Sequence, residues 1–150
     1  MTASSRGKVR SLVSLSRTLS TNKPGSAAGD YPPPAEAPLL PNNPSGCSVL
    51  LFPGQGSQFV GMGRGLLKYP NVKEMFTVAQ KILGYDLCSR STGVYLHDLQ
   101  KTVHCQPAVF VTSLAAVERL NQENPKAIEM CVAAAGFSVG EFAALVFSGR

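Results

Sequence analysis

Beyond residue 46 the apolar residues fall into five runs, and the spacing within each run predicts an element. Cys47-Ser48-Val49-Leu50-Leu51-Phe52 is nearly continuous and short, the pattern of a buried strand, and Pro53-Gly54 stops it. Val72, Met75, Phe76, Ala79, Ile82 and Leu83 follow at i, i+3, i+4, i+7, i+10 and i+11, which lays one apolar stripe along a helix from about Asn71 to Leu83. Gly84 is placed to end it. Pro107 suits the first turn of a second helix carrying Ala108 to Leu120, and Pro125 closes the loop after it. A small-residue run, Met130 to Ala135, reads as a second strand, and a third helix covers 141–148. Residues 85–104 mix polar and apolar positions without a clean period. Strand, helix, helix, strand, helix predicts an α/β domain built on a parallel sheet.

The first 46 residues have a different character. Residues 24–46 hold seven prolines and three glycines, a composition that cannot pack regular structure and predicts a linker. Ahead of it, Arg6, Lys8, Arg10, Arg17 and Lys23 precede the first acidic residue, Asp30. These five charges equal the whole net charge of +5, so residues 30–150 balance. A basic nucleic-acid surface is therefore not indicated for the globular part. Arg-rich, Ser-rich and acid-poor is the composition of a mitochondrial presequence, and the sustained apolar core of a secretory signal is missing. The expected organisation is a transit peptide over 1–29, a Pro-rich linker over 30–46 and a folded part over 47–150. No run approaches the roughly 20 apolar residues of a membrane span.

Chemistry is concentrated in one pentapeptide, Gly136-Phe137-Ser138-Val139-Gly140. G-x-S-x-G between a strand and a helix is the setting of a nucleophile elbow, a sharp turn that lifts the Ser138 hydroxyl clear of the sheet. The amide of Val139, opening the helix, is then placed to donate to an oxyanion. The plainer alternative is a glycine-rich turn whose serine caps the helix. A second glycine-rich segment, Gly54-Gln55-Gly56-Ser57-Gln58-Phe59, follows the first strand. Phe59 occupies the third glycine position of a dinucleotide fingerprint, and Met62 stands where a P-loop has lysine, so neither phosphate-binding pattern is satisfied. What is left is a pliable loop at the carboxyl end of a strand, where an elbow serine also sits, able to supply a second oxyanion amide. His97, His104 and four cysteines without C-x-x-C spacing give no metal motif.

Leu51-Phe52-Pro53-Gly54-Gln55-Gly56-Ser57-Gln58, Gln106-Pro107-Ala108 and Gly136-Phe137-Ser138-Val139-Gly140-Glu141, in this order, resemble the malonyl-CoA:acyl carrier protein transacylases, and with the presequence the stand-alone mitochondrial type. The resemblance covers residues 47–150 and implies the N-terminal part of an α/β-hydrolase-like acyltransferase subdomain, with the family's ferredoxin-like subdomain absent from this chain. It implies Ser138 as catalytic nucleophile, with Gln55 and Val139 supplying backbone amides to the oxyanion hole. Malonyl-CoA and phosphopantetheinylated acyl carrier protein are the implied substrates. Neither a bound cofactor nor a metal is implied, and neither a nucleic acid nor a membrane partner; the mitochondrial matrix is the implied place. Phe137 stands where many bacterial members carry His, and residues 88–98 fit the pattern poorly. The family's substrate-binding arginine and activating histidine are expected beyond Arg150, so the resemblance implies little activity for these 150 residues alone. Two alternatives accompany this reading: a serine hydrolase or thioesterase, and a non-catalytic short form that binds carrier protein or the full-length enzyme.

Overall fold

The structure is a computed structural model and describes residues 11–14, 44–92 and 99–149. Its centre is a three-stranded parallel sheet in the order β1-β3-β2, formed by β1 (Ser11–Ser14), β2 (Ser48–Phe52) and β3 (Cys131–Gly136). β2 and β3 are the two strands the hydrophobic runs predict. β1 is an addition, lying inside the segment read as a basic leader. Its register sets Leu12 beside Ala134 and Val13 beside Ala135. Two apolar residues thus supply a third strand for the edge of β3, whose amides and carbonyls otherwise have no ladder partner on that side. The rest of the predicted leader and the Pro-rich linker up to residue 43 lie outside the described residues.

Five α-helices accompany the sheet: α1 (Val72–Leu83), α2 (Leu87–Thr92), α3 (Thr102–Glu123), α4 (Pro125–Glu129) and α5 (Val139–Ser148). α1 matches its predicted stripe, and Gly84 ends it in the left-handed conformation at φ 76°. α4 was not foreseen; Pro125 opens it rather than merely closing a loop, because proline at the first helical position has no amide to lose.

The largest departure is the start of α3. Pro107 is its sixth residue, not its first-turn residue, and the helix begins at Thr102. A proline inside a helix leaves the carbonyl four residues back without its partner. Here that carbonyl belongs to Val103, and the Tyr85 hydroxyl donates to it at 2.9 Å. A side chain from outside the helix therefore repairs the break. Such a contact has no local signature in the sequence.

The core has two main parts. Leu50 and Phe52 of β2 face α3 and α5, packing with Ala134, Ala143, Ala144, Phe110, Leu114 and Phe147. A second cluster between α1, α2 and α3 gathers Val72, Phe76, Leu87, Leu99, Ala108 and Ala115. Alternation sends Val49 and Leu51 to the opposite face of β2, where both are exposed, Leu51 to 73%.

Candidate functional site

Strand β3 ends at Gly136 and α5 begins at Val139, so only Phe137 and Ser138 make the turn. Ser138 has φ 54° and ψ −120°, and it is one of two non-glycine residues with positive φ among those described. Such a conformation costs on the order of 1–3 kcal/mol and persists only where the surroundings dictate it. They do so through glycines. A Cβ on Gly136 would lie 2.2 Å from the carbonyl carbon and oxygen of Gly140, and one on Gly140 would lie 2.2 Å from the Phe52 carbonyl oxygen. Strand β3, helix α5 and the end of β2 thus meet backbone to backbone. The Phe137 amide donates to the Phe52 carbonyl at 3.2 Å, and the Gly140 amide to the Phe137 carbonyl at 2.9 Å. Ser138 is exposed, and its side chain makes no capping hydrogen bond. The plain helix-cap alternative fails on that point; the geometry is that of an elbow.

The glycine loop meets the elbow directly, since a Cβ on Gly54 would fall 2.7 Å from the Phe137 carbonyl oxygen. The Ser57 hydroxyl donates to the Gly54 carbonyl at 2.8 Å, and the Gly56 amide donates to Gln58 Oε1 at 2.7 Å. The Gln55 side chain is held at both ends by α3: its Nε2 donates to Thr102 Oγ1 at 3.3 Å, and its Oε1 accepts from Gln106 Nε2 at 3.2 Å. The backbone amides of Gln55 and Val139 have no acceptor among the described residues. The structure therefore brings together, around one turn, an exposed serine and two loops with unspent amide donors.

Cys105 lies under this assembly, fully buried, packed with Val109 and Val139, with the Gly56 backbone beside its thiol. Burial pushes its thiol above the ordinary cysteine range, so it stays protonated and inert. Sequence reasoning did not find Thr102 or Cys105, because a helix starting at Pro107 leaves them in a loop. With α3 starting at Thr102, residues 102, 105 and 106 share one face at i, i+3 and i+4.

Other candidate residues stand apart. His104 packs edge-on against the Tyr85 ring at 4.7 Å, with its Nδ1 buried and unpartnered. His97 and Arg150 lie outside the described residues. Among the described residues no group of His, Cys, Asp and Glu is arranged to hold a metal. No described helix is long and apolar enough to cross a membrane. An apolar groove of about 430 Å³ runs between β2 and α3 from Pro53 and Ser57 to Leu120, and Ser138 does not line it.

Comparison with known proteins bears on this arrangement. No family model matches the chain. The human mitochondrial malonyl-CoA-acyl carrier protein transacylase is 66% identical over 106 residues, which make up 71% of this chain and 27% of the human protein. Over these residues the chain is a partial match to the malonyl-CoA-acyl carrier protein transacylases. It spans less than a third of the length of that relative. The crystal structure of an acyl carrier protein S-malonyltransferase from Vibrio cholerae superposes with a TM-score of 0.59 at 37% identity, covering 67% of this chain and 32% of the bacterial one. A malonyl-transacylase solved in complex with its type II polyketide acyl-carrier protein superposes at 0.61 with 36% identity, over 69% of this chain and 33% of that one. The transacylase-like part is thus the α/β N-terminal portion of that fold.

Proposed function

We propose that the chain carries the nucleophile and oxyanion half of a malonyl transfer from malonyl-CoA to acyl carrier protein in mitochondrial fatty acid synthesis. The observation that carries this reading is Ser138, exposed on a strained turn with the unpaired amides of Gln55 and Val139 in the two loops that meet there. Ser138 Oγ attacks the thioester carbonyl, and its proton leaves. The developing oxyanion takes hydrogen bonds from the two amides, each such donor being typically worth about 10²–10³ in rate. The carbon–sulfur bond breaks, coenzyme A departs as a thiol, and malonate stays esterified to Ser138. The phosphopantetheine thiol of acyl carrier protein then attacks the ester, the carbon–oxygen bond breaks, and the serine hydroxyl regains a proton.

A serine needs a base to act at neutral pH. Among the described residues none is hydrogen-bonded to the Ser138 hydroxyl, and His104 is packed against Tyr85. The activating histidine and the arginine for the malonyl carboxylate are expected from sequence beyond Arg150, in line with the share of the relatives that this chain spans. Mitochondrial placement follows from the relatives, which are named as mitochondrial in human, mouse and fly. The matrix as the compartment and residues 1–29 as a transit peptide rest on the acid-poor, Arg- and Ser-rich leader.

The test is the intact mass of the protein from mitochondria after incubation with malonyl-CoA. A malonyl ester that maps to Ser138, and that Ser138→Ala reduces by at least about 10³-fold in rate, is the expected result. An ester elsewhere, or hydrolysis of the thioester with no dependence on carrier protein, overturns it in favour of a hydrolase. A fusion of residues 1–29 to a reporter should reach the matrix; a cytosolic reporter removes the leader from the proposal.

A further inference from the structure

We propose that the first turn of α3 is a positioning element for the oxyanion donors, with Thr102 as its key residue. This rests on the acyl-transfer reading of Ser138. Of the two loops at the site, the elbow is fixed by glycine backbones in mutual contact. In the loop carrying Gln55 only Gly54 is pressed against the elbow, and the residues after it have no such support. Gly56 has open space around it and a φ of 106°, and Gln55, Gly56 and Ser57 are all exposed. A donor amide on an unsupported loop must be ordered at each turnover, which forfeits the advantage of a preorganised dipole.

The support comes from α3. Thr102 Oγ1 accepts from one end of the Gln55 carboxamide and Gln106 Nε2 donates to the other, so the side chain bridges two residues one turn apart on one helix face. Cys105, between them on the same face, lies beside the Gly56 backbone and packs against Val139. One helical turn therefore touches the residue that carries one donor amide, the residue after it, and the residue that carries the other donor. Thr102 reaches Gln55 only through its hydroxyl, so a change confined to that hydroxyl isolates the effect. Val103, on a different face, is committed elsewhere, its carbonyl accepting from Tyr85.

The experiment compares Thr102→Val and Thr102→Ser with the unaltered 150-residue chain in two ways. Exchange of the hydrogen-bonded Gly56 amide is read by NMR, with Ala134 and Val111 as core controls. The rate of malonyl-ester formation on Ser138 is read by mass at saturating malonyl-CoA. Thr102→Val should speed exchange at Gly56, whose amide is bonded to Gln58 Oε1, three- to tenfold, the size of one neutral hydrogen bond, and leave the controls unchanged. Thr102→Ser should restore the unaltered rate to within about twofold. The ester rate should follow the same order, with the malonyl-CoA concentration for half-saturation unmoved. Exchange at Gly56 that ignores the loss of the hydroxyl, or that serine does not restore, overturns the proposal. If the core controls accelerate as well, Thr102→Ala, which removes the hydroxyl with less bulk at an exposed position, is judged by the same criterion. If the unaltered chain forms no ester, the acyl-transfer reading fails for these 150 residues, and the exchange data still decide whether Thr102 holds the loop.

Discussion

The elbow and the glycine loop end up side by side and are held in place by opposite means. At the elbow, backbone meets backbone: Gly136, Gly140 and the Phe52 carbonyl leave no room for a methyl group, and Ser138 is forced to positive φ. In the loop, Gly54 alone is pressed, against Phe137, and the residues after it depend on side-chain hydrogen bonds from α3. A nucleophile gains from a position that cannot vary. The loop, whose amide is proposed to answer a charge appearing and vanishing on the substrate, is held by contacts of about a kcal/mol each. Rigidity here is graded, and the grade is written in what each glycine touches.

Substitutions at the glycines break this comparison in a set order. Gly140→Ala should be the most damaging, because its methyl group would have to displace the end of β2; a loss of at least about 3 kcal/mol, or no folded protein, is expected in chemical denaturation. Gly54→Ala should cost about 1–3 kcal/mol, since the Phe137 carbonyl and ring can give way only by shifting the turn. Its ester formation at Ser138 should fall further than its stability, which a paired measurement of midpoint and rate will show. Gly56→Ala meets no atom within 4 Å and bears only the strain of its positive φ, about 1–2 kcal/mol, with no effect on the elbow. Were Gly56→Ala to prove worse than Gly140→Ala, the contrast between the two regions would be wrong.

The smallest effect lies away from both. Asp86 accepts hydrogen bonds from the Ser89 amide at 2.9 Å and from the Ser89 hydroxyl, and these hold its carboxyl below the ordinary range. The folded state thus favours the ionised form. Its stabilisation is present above a pH of about 4 and is lost as pH falls through the lowered folded value. Asp86→Ala should cost about 1 kcal/mol at neutral pH and flatten the acid side of the stability curve, while the elbow and loop are untouched.

How much of this was legible in the sequence depends on where the deciding contacts lie. The elbow was legible because Gly136, Ser138 and Gly140 are neighbours in sequence, although Gly140 is also pressed by the distant Phe52 carbonyl. α1 was legible because its stripe and its terminal glycine are contiguous. The start of α3 was not, because the defect that Pro107 makes is mended by Tyr85 from twenty-two residues upstream, and no pattern around residue 107 records that. With the helix begun too late, Thr102 and Cys105 could not be placed on the face they share with Gln106. β1 was hidden for a related reason. A short apolar pair in a basic segment becomes a strand only beside an edge that needs one, and that edge belongs to β3. Residues 85–104, unperiodic in sequence, still bury Leu87 and Leu99 completely, in a cluster with residues of α1 and α3.

The bare side of β2 has a practical consequence at the bench. Val49 and Leu51 sit 56% and 73% exposed on a parallel strand, an element whose two faces are normally both covered. A folded sample of this chain should therefore fluoresce with environment-sensitive dyes before any heat is applied. Melting curves read with such dyes would start from a raised baseline and understate the transition. Dichroism or intrinsic tyrosine emission would follow it faithfully, and a detergent or solubilising fusion that covers this strip would change the yield of the protein without changing its fold.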